Sequence, residues 1–110
     1  MSEATIYHIA AKADWQSGLA EGAFCPPSLA AEGFVHCAYA GQVCEVADQR
    51  YAGRVDLVLL EIDRRQLSHD VIDESPAGSN ELFPHIYGGI PVNAVSAVHV
   101  LECGSDGRAE

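Results

Sequence analysis

Apolar and polar positions alternate along the chain in short runs, and glycines and prolines punctuate them. Residues 4–11, ATIYHIAA, alternate loosely and suit a strand. Asp14 and Trp15 open a helical stretch that runs to about Ala20 and is broken by Gly22. The adjacent Pro26 and Pro27 make residues 22–31 read as an irregular connection, and Gly33 opens a second strand, FVHCA. Over residues 39–52, Val43, Val46, Ala47 and Tyr51 recur at helical spacing, with Glu45, Asp48 and Arg50 on other faces and Gly53 as the stop. Residues 55–63, VDLVLLEID, form the clearest strand: Val58, Leu60 and Ile62 share one face, Leu57 and Leu59 the other. A helical turn over 64–68, a short strand at Val71-Ile72, a loop over 75–81 and a last strand over 92–101 follow. Residues 82–91, LFPHIYGGIP, hold two prolines and two glycines, so no regular element is predicted there.

Four or five strands and two helices, not in strict alternation, predict an α+β fold with helices packed on a mainly antiparallel sheet. The expected organisation is a single domain over residues 1–103 and a polar tail over 104–110. A chain of 110 residues is long enough for one hydrophobic core.

Charge narrows the partners. Six basic residues face sixteen acidic ones, a net charge of −10, and the adjacent Arg64 and Arg65 are flanked by Glu61 and Asp63. Phosphate backbones bind through clustered Lys and Arg, so a long nucleic acid or an anionic membrane is an unsuitable partner. A small anionic ligand still fits, because backbone N–H groups at a helix start can hold one. No apolar run approaches the ~20 residues of a membrane-spanning helix, and Met-Ser-Glu-Ala lacks a hydrophobic signal core. A cytoplasmic location is the expectation. Cys25, Cys37, Cys44 and Cys103 form no C-x-x-C pair and are expected to be reduced thiols filling core space. The chain has no G-x-S-x-G, Walker or G-x-G-x-x-G motif, so serine hydrolase, P-loop and dinucleotide-fold readings lack support.

The candidate chemistry lies in three histidines set among aromatic and β-branched residues: Tyr7-His8-Ile9, Phe34-Val35-His36 and Phe83-Pro84-His85-Ile86-Tyr87. Neighbours on a strand point to opposite faces, so His36 and Cys37 cannot form a nucleophilic pair; Cys37 belongs with Val35 in the core. Three imidazoles could hold zinc, but no usual local ligand spacing is present and no metal is assigned. Convergent on one cleft, the same imidazoles would be the polar points of a small-molecule site. For each one alone, a hydrogen-bonded core histidine is the commoner role. His69 and His99 are weaker candidates. Among carboxylates Glu81, just before Leu82-Phe83-Pro84-His85, has the best setting for acid–base work; Glu74 lies on the other side of the loop.

Taken in order, YHI at 7–9, Trp15, PSL at 27–29, EGFVHC at 32–37, VAD at 46–48, Tyr51, LVLLEID at 57–63, FPHIYG at 83–88 and Ala94-Val95 resemble a family of small bacterial proteins, domain-of-unknown-function family 952. The resemblance spans about residues 5–100. It implies a relation in fold to ADP-ribosyltransferases and RNA 2′-phosphotransferases, with a small split sheet and a cleft for NAD or an ADP-ribosylated intermediate. It further implies that His8 bonds a ribose hydroxyl, that His36 lines the nicotinamide region, and that His85 or Glu81 orients the reacting ribose. Tyr7, Phe34 and Tyr87 would line the same ligand, and Lys12, Arg50 and Arg54 are the basic residues near these motifs. The sequence departs from the family pattern at Ala38, where a hydroxyl residue is usual, at Asp48, where Asn is common, and at Gly89-Ile90.

Three readings follow. The first is a cytoplasmic α+β domain with a His-lined cleft for a nucleotide-like small molecule. For it the resemblance implies an enzyme of ADP-ribosyl or phosphotransferase type, with His36, His85 and Glu81 catalytic, His8, Tyr7, Phe34 and Tyr87 binding, and NAD as cofactor. The second is a non-catalytic small-molecule-binding or regulatory module. The third is a metal-dependent hydrolase using the histidines.

Overall fold

A computed structural model describes residues 4–51, 53–75 and 81–101. The expected tail over 104–110 and most of the 75–81 loop lie outside the described residues.

Strand β1 (Thr5–Ala11) leads directly into helix α1 (Lys12–Glu21), and the short β2 (Ala23–Phe24) follows. Helix α2 (Pro27–Glu32) and β3 (Val35–His36) come next, then a 3-10 turn at Ala40–Gln42 and helix α3 (Val43–Tyr51). The second half holds β4 (Leu57–Asp63), a 3-10 turn at Arg64–Gln66, β5 (Val71–Glu74), β6 (Phe83–Ile86) and β7 (Ile90–Pro91). A 3-10 turn at Val92–Ala94 then leads into β8 (Val95–Val100).

Strands pair in the orders β1-β4-β8, β3-β6-β5 and β2-β7, and every one of these pairings is antiparallel. The α+β class holds. The two larger sheets are joined through residues 35–38. Val35 and His36 pair with Ile86 and His85, and two residues on Ala38 exchanges both backbone hydrogen bonds with Tyr7, each 2.8 Å.

Two stretches depart from expectation because proline does less damage than its general tendency suggests. Residues 22–31 contain β2 and α2 rather than an irregular connection. Pro27 occupies the first turn of α2, where its missing N–H has no helical partner to lose. Residues 83–86 form the central strand of its sheet despite Pro84. The Pro84 carbonyl accepts from the Cys37 N–H at 3.0 Å. The N–H that Pro84 lacks would point to the same side, at the last rung before Ala38 pairs with Tyr7 of β1.

The main core joins Ile6, Trp15, Phe24, Val35, Cys37, Leu60, Ile62, Ile86 and Ile90. A second cluster packs α3 on β1 and β4 through Ile9, Ala38, Val43, Ala47 and Leu57. Gly18 keeps α1 close to β2, since a Cβ there would lie 3.0 Å from the Phe24 Cα. Cys25 and Cys37 are free thiols. Cys44 is disulfide-bonded, which corrects the expectation of a reduced thiol at that position.

Candidate functional site

Strand register builds the site. His36 and His85 are direct antiparallel partners, and side chains so placed touch across the strands. Their ring centroids lie 5.1 Å apart. Period-two alternation adds Phe34 two residues before His36 and Tyr87 two residues after His85. The Phe34 ring stacks on His85 at 4.3 Å with a 19° interplanar angle, meets His36 edge-on at 4.8 Å and lies 5.4 Å from Tyr87. Glu74 faces Phe83, diagonally across from His85.

The two carboxylates of the cluster each take one imidazole. His85 Nδ1 lies 2.7 Å from Glu74 Oε1, and the Tyr87 hydroxyl donates to the same oxygen at 2.6 Å. These donors hold the Glu74 carboxyl below the usual range, the tyrosine more than the histidine. The hydrogen bond to Glu74 in turn raises the Tyr87 phenol. An ionised Glu74 can only accept, so Nδ1 carries the His85 proton and Nε2 is left with a lone pair. That Nε2 is buried and has no hydrogen-bond partner among the described residues. On the other side His36 Nε2 lies 3.0 Å from Glu32 Oε1, one helical turn back at the end of α2.

His8 stands behind this face rather than on it. Its Nδ1 donates to the His36 carbonyl at 2.6 Å, and its ring lies 5.7 Å from Phe24. Burial lowers its pKa to about 4; the bond to the His36 carbonyl opposes that shift, and the charge of His36 adds to it. His8 is therefore neutral at pH 7 and braces the strand that carries His36.

The remaining candidates lie elsewhere. Tyr7 lines a separate hollow of about 660 Å³ with Thr5, Tyr39, Asp73 and Leu82. At its edge the Tyr39 hydroxyl donates to Asp73 at 2.5 Å and accepts from Arg64 at 3.0 Å. Glu81 accepts from Gln42 Nε2 at 3.0 Å; Glu74 is the carboxylate on His85. Arg54 is paired with Asp56, and Lys12 and Arg50 are exposed. Cys37 is buried, and burial pushes its thiol pKa up, opposite to what a nucleophile needs. Ala38 packs among Ile9, Val43, Ala47 and Leu57, so the missing hydroxyl takes nothing from the histidine face. Among the described residues no group of three or more His, Cys, Asp or Glu side chains is arranged to hold a metal ion, and no helix is long and apolar enough to cross a membrane.

Sequence reasoning found the rings but not the roles of Glu74 and Glu32. The signal was present as an alternation, Phe-x-His and His-x-Tyr, next to the acidic end of VIDE at 71–74.

The chain is similar to protein CC0527 from Caulobacter crescentus. The crystal structure of that protein matches with 31% identity and a TM-score of 0.82, over 96% of this chain and 93% of that one. Its solution NMR structure matches with 31% identity and a TM-score of 0.78, over 94% and 90%. No curated protein matches. The family model described as "Protein of unknown function (DUF952)" matches residues 9–98, and the chain belongs to that family.

Proposed function

We propose that the chain holds a nucleotide-like small molecule against the His36–His85 face and acts on it as a group-transfer enzyme of the ADP-ribosyl or phosphotransferase type. The observation that carries this reading is the state of His85. One ring nitrogen is tied to a carboxylate, and the other is buried without a partner among the described residues. An unsatisfied buried polar atom costs roughly 1–3 kcal/mol, and catalytic sites are among the places where that cost is tolerated. Two three-stranded antiparallel sheets joined through residues 35–38 support the relation to the split-sheet transferase fold.

The chemistry follows from the dyad. Glu74 fixes the tautomer, so the neutral imidazole presents its lone pair at Nε2. Nε2 accepts the proton of a bound hydroxyl or water as that oxygen bonds to the ribosyl carbon or the phosphorus. The leaving group departs with the bonding pair and takes its proton from the imidazolium, whose charge Glu74 offsets meanwhile. His8 positions His36 through the main chain.

NAD fits this face in part. The rings suit a base or a ribose. Its pyrophosphate finds carboxylates at Glu32 and Glu74 and, among the described residues, no Lys or Arg bonded to either.

The test is ring-nitrogen NMR of His36 and His85 with millimolar NAD, ADP-ribose and 2′-phosphorylated nucleotides, with assays for released nicotinamide and phosphate. Saturable shifts and a product, both abolished in His85→Ala, are expected. Shifts without product would leave a binding module in place of an enzyme. No shift with any of these compounds would overturn the reading.

A further inference from the structure

We infer that the group held against His85 is an organic cation with an N–H donor, such as a primary ammonium or an amidinium. This rests only on the histidine face being a ligand site, and it takes a cation, rather than the phosphates of a nucleotide, as the group that meets Nε2.

Three independent features of the face agree. The buried His85 Nε2 is an acceptor without a donor among the described residues, so it is completed by an N–H or O–H of the ligand. Carboxylates flank it on both sides, Glu74 on His85 and Glu32 on His36. The Tyr87 hydroxyl and His85 keep Glu74 ionised. An anionic group would meet two like charges at close range, which costs affinity.

The walls add to this. Phe34 and Tyr87 lie 5.4 Å apart, centroid to centroid, and aromatic faces within ~6 Å of a cation attract it. The arginine pairs found on the chain lie elsewhere: Arg54 with Asp56, Arg64 with Asp73 and Arg65 with Asp63. Among the described residues, none of these arginines has a hydrogen bond or ion pair to His36, His85 or Tyr87. Phe34 is half-buried and stacks on the face of the His85 ring.

The test uses three probes of one shape on the full chain at pH 7.5: benzylamine, benzyl alcohol and benzoate. The signals followed are the ring resonances of His36 and His85. His99, paired with Glu61 on the other sheet, reports general attraction to an acidic protein. Benzylamine is expected to shift His36 and His85 saturably, about tenfold more tightly than benzyl alcohol, with His99 unmoved and benzoate silent. A tenfold difference corresponds to about 1.4 kcal/mol. Glu74→Gln is expected to remove most of that preference. Glu32→Gln, an exposed change that spares the His85 dyad, reduces it about threefold, the exposed-pair scale.

Equal binding of benzoate or benzyl alcohol, an equal shift at His99, or benzylamine binding untouched by both variants would overturn the cation. If all three probes are silent while a nucleotide shifts His36 and His85, the cation is overturned and the site stands. If nothing shifts those signals, both fall.

Discussion

His85 and Tyr87 converge on one atom: Nδ1 of the imidazole lies 2.7 Å from Glu74 Oε1, and the phenol donates to that same oxygen at 2.6 Å. The two donors sit two residues apart on one strand face, and the acceptor lies diagonally across on its neighbour. The arrangement is a consequence of register, and it fixes which nitrogen of His85 is left for a ligand.

Glu74→Gln tests what the carboxylate contributes to stability. Its folded pKa is depressed by Tyr87 and His85. A depressed carboxylate stabilises the fold above its unfolded value of roughly 4.3 and loses that contribution as pH falls through the folded value. The urea midpoint of the variant is expected to lie below that of the wild type at pH 7, with the gap closing in acid. An unchanged gap at every pH would assign the effect to packing.

His8 gives a pH dependence of the other kind. With a folded pKa of about 4 against roughly 6.5 unfolded, it takes up its proton more readily in the unfolded chain. Its contribution is complete above about pH 6.5, is lost as pH falls towards 4, and levels off below, with a ceiling of about 3 kcal/mol. His8→Gln retains an N–H for the His36 carbonyl and removes the titration. Between pH 7 and 5 the wild type is expected to lose more stability than the variant, measured by urea unfolding.

Gly33 ends α2 with φ at +88°, and its N–H bonds to the Leu29 carbonyl. Alanine meets no atom there but must adopt the left-handed conformation, a cost of about 1 kcal/mol. Because Gly33 precedes Phe34, calorimetry is expected to show a lower Tm and NMR a displaced Phe34 ring signal.

Thiol labelling separates two cysteines. Cys25 is exposed and Cys37 is buried with its pKa raised. Brief treatment of the native chain with a maleimide, followed by peptide mapping, is expected to mark Cys25 and leave Cys37 unmarked until urea is added. Rapid native labelling of Cys37 would revive the nucleophile reading.

Much of the frame could be read directly. Strong periodicity placed β1, α3 and β4 to within a few residues, because an apolar face repeats clearly in each. What escaped were elements whose prolines sit where a missing N–H costs little, Pro27 in the first turn of α2 and Pro84 at the last rung between β6 and the β3 segment. The site was half legible for a related reason. Phe34, His36, His85 and Tyr87 carry their own local alternation. Glu74 joins them through the β5–β6 register, and His8 is brought up behind His36 by the Tyr7–Ala38 bridge. Such long-range pairings leave no mark on any short stretch of sequence.

The central claim is that His85 offers a bare Nε2 to a ligand, and the long-range proton–nitrogen spectrum of the imidazoles tests it most directly. The neutral His85 ring is expected as the Nδ1–H tautomer, with an Nε2 whose shift moves when ligand is added, and with that tautomer preference weakened in Glu74→Gln. A His85 protonated at Nε2, or an Nε2 indifferent to every nucleotide and cation tried, would contradict the account.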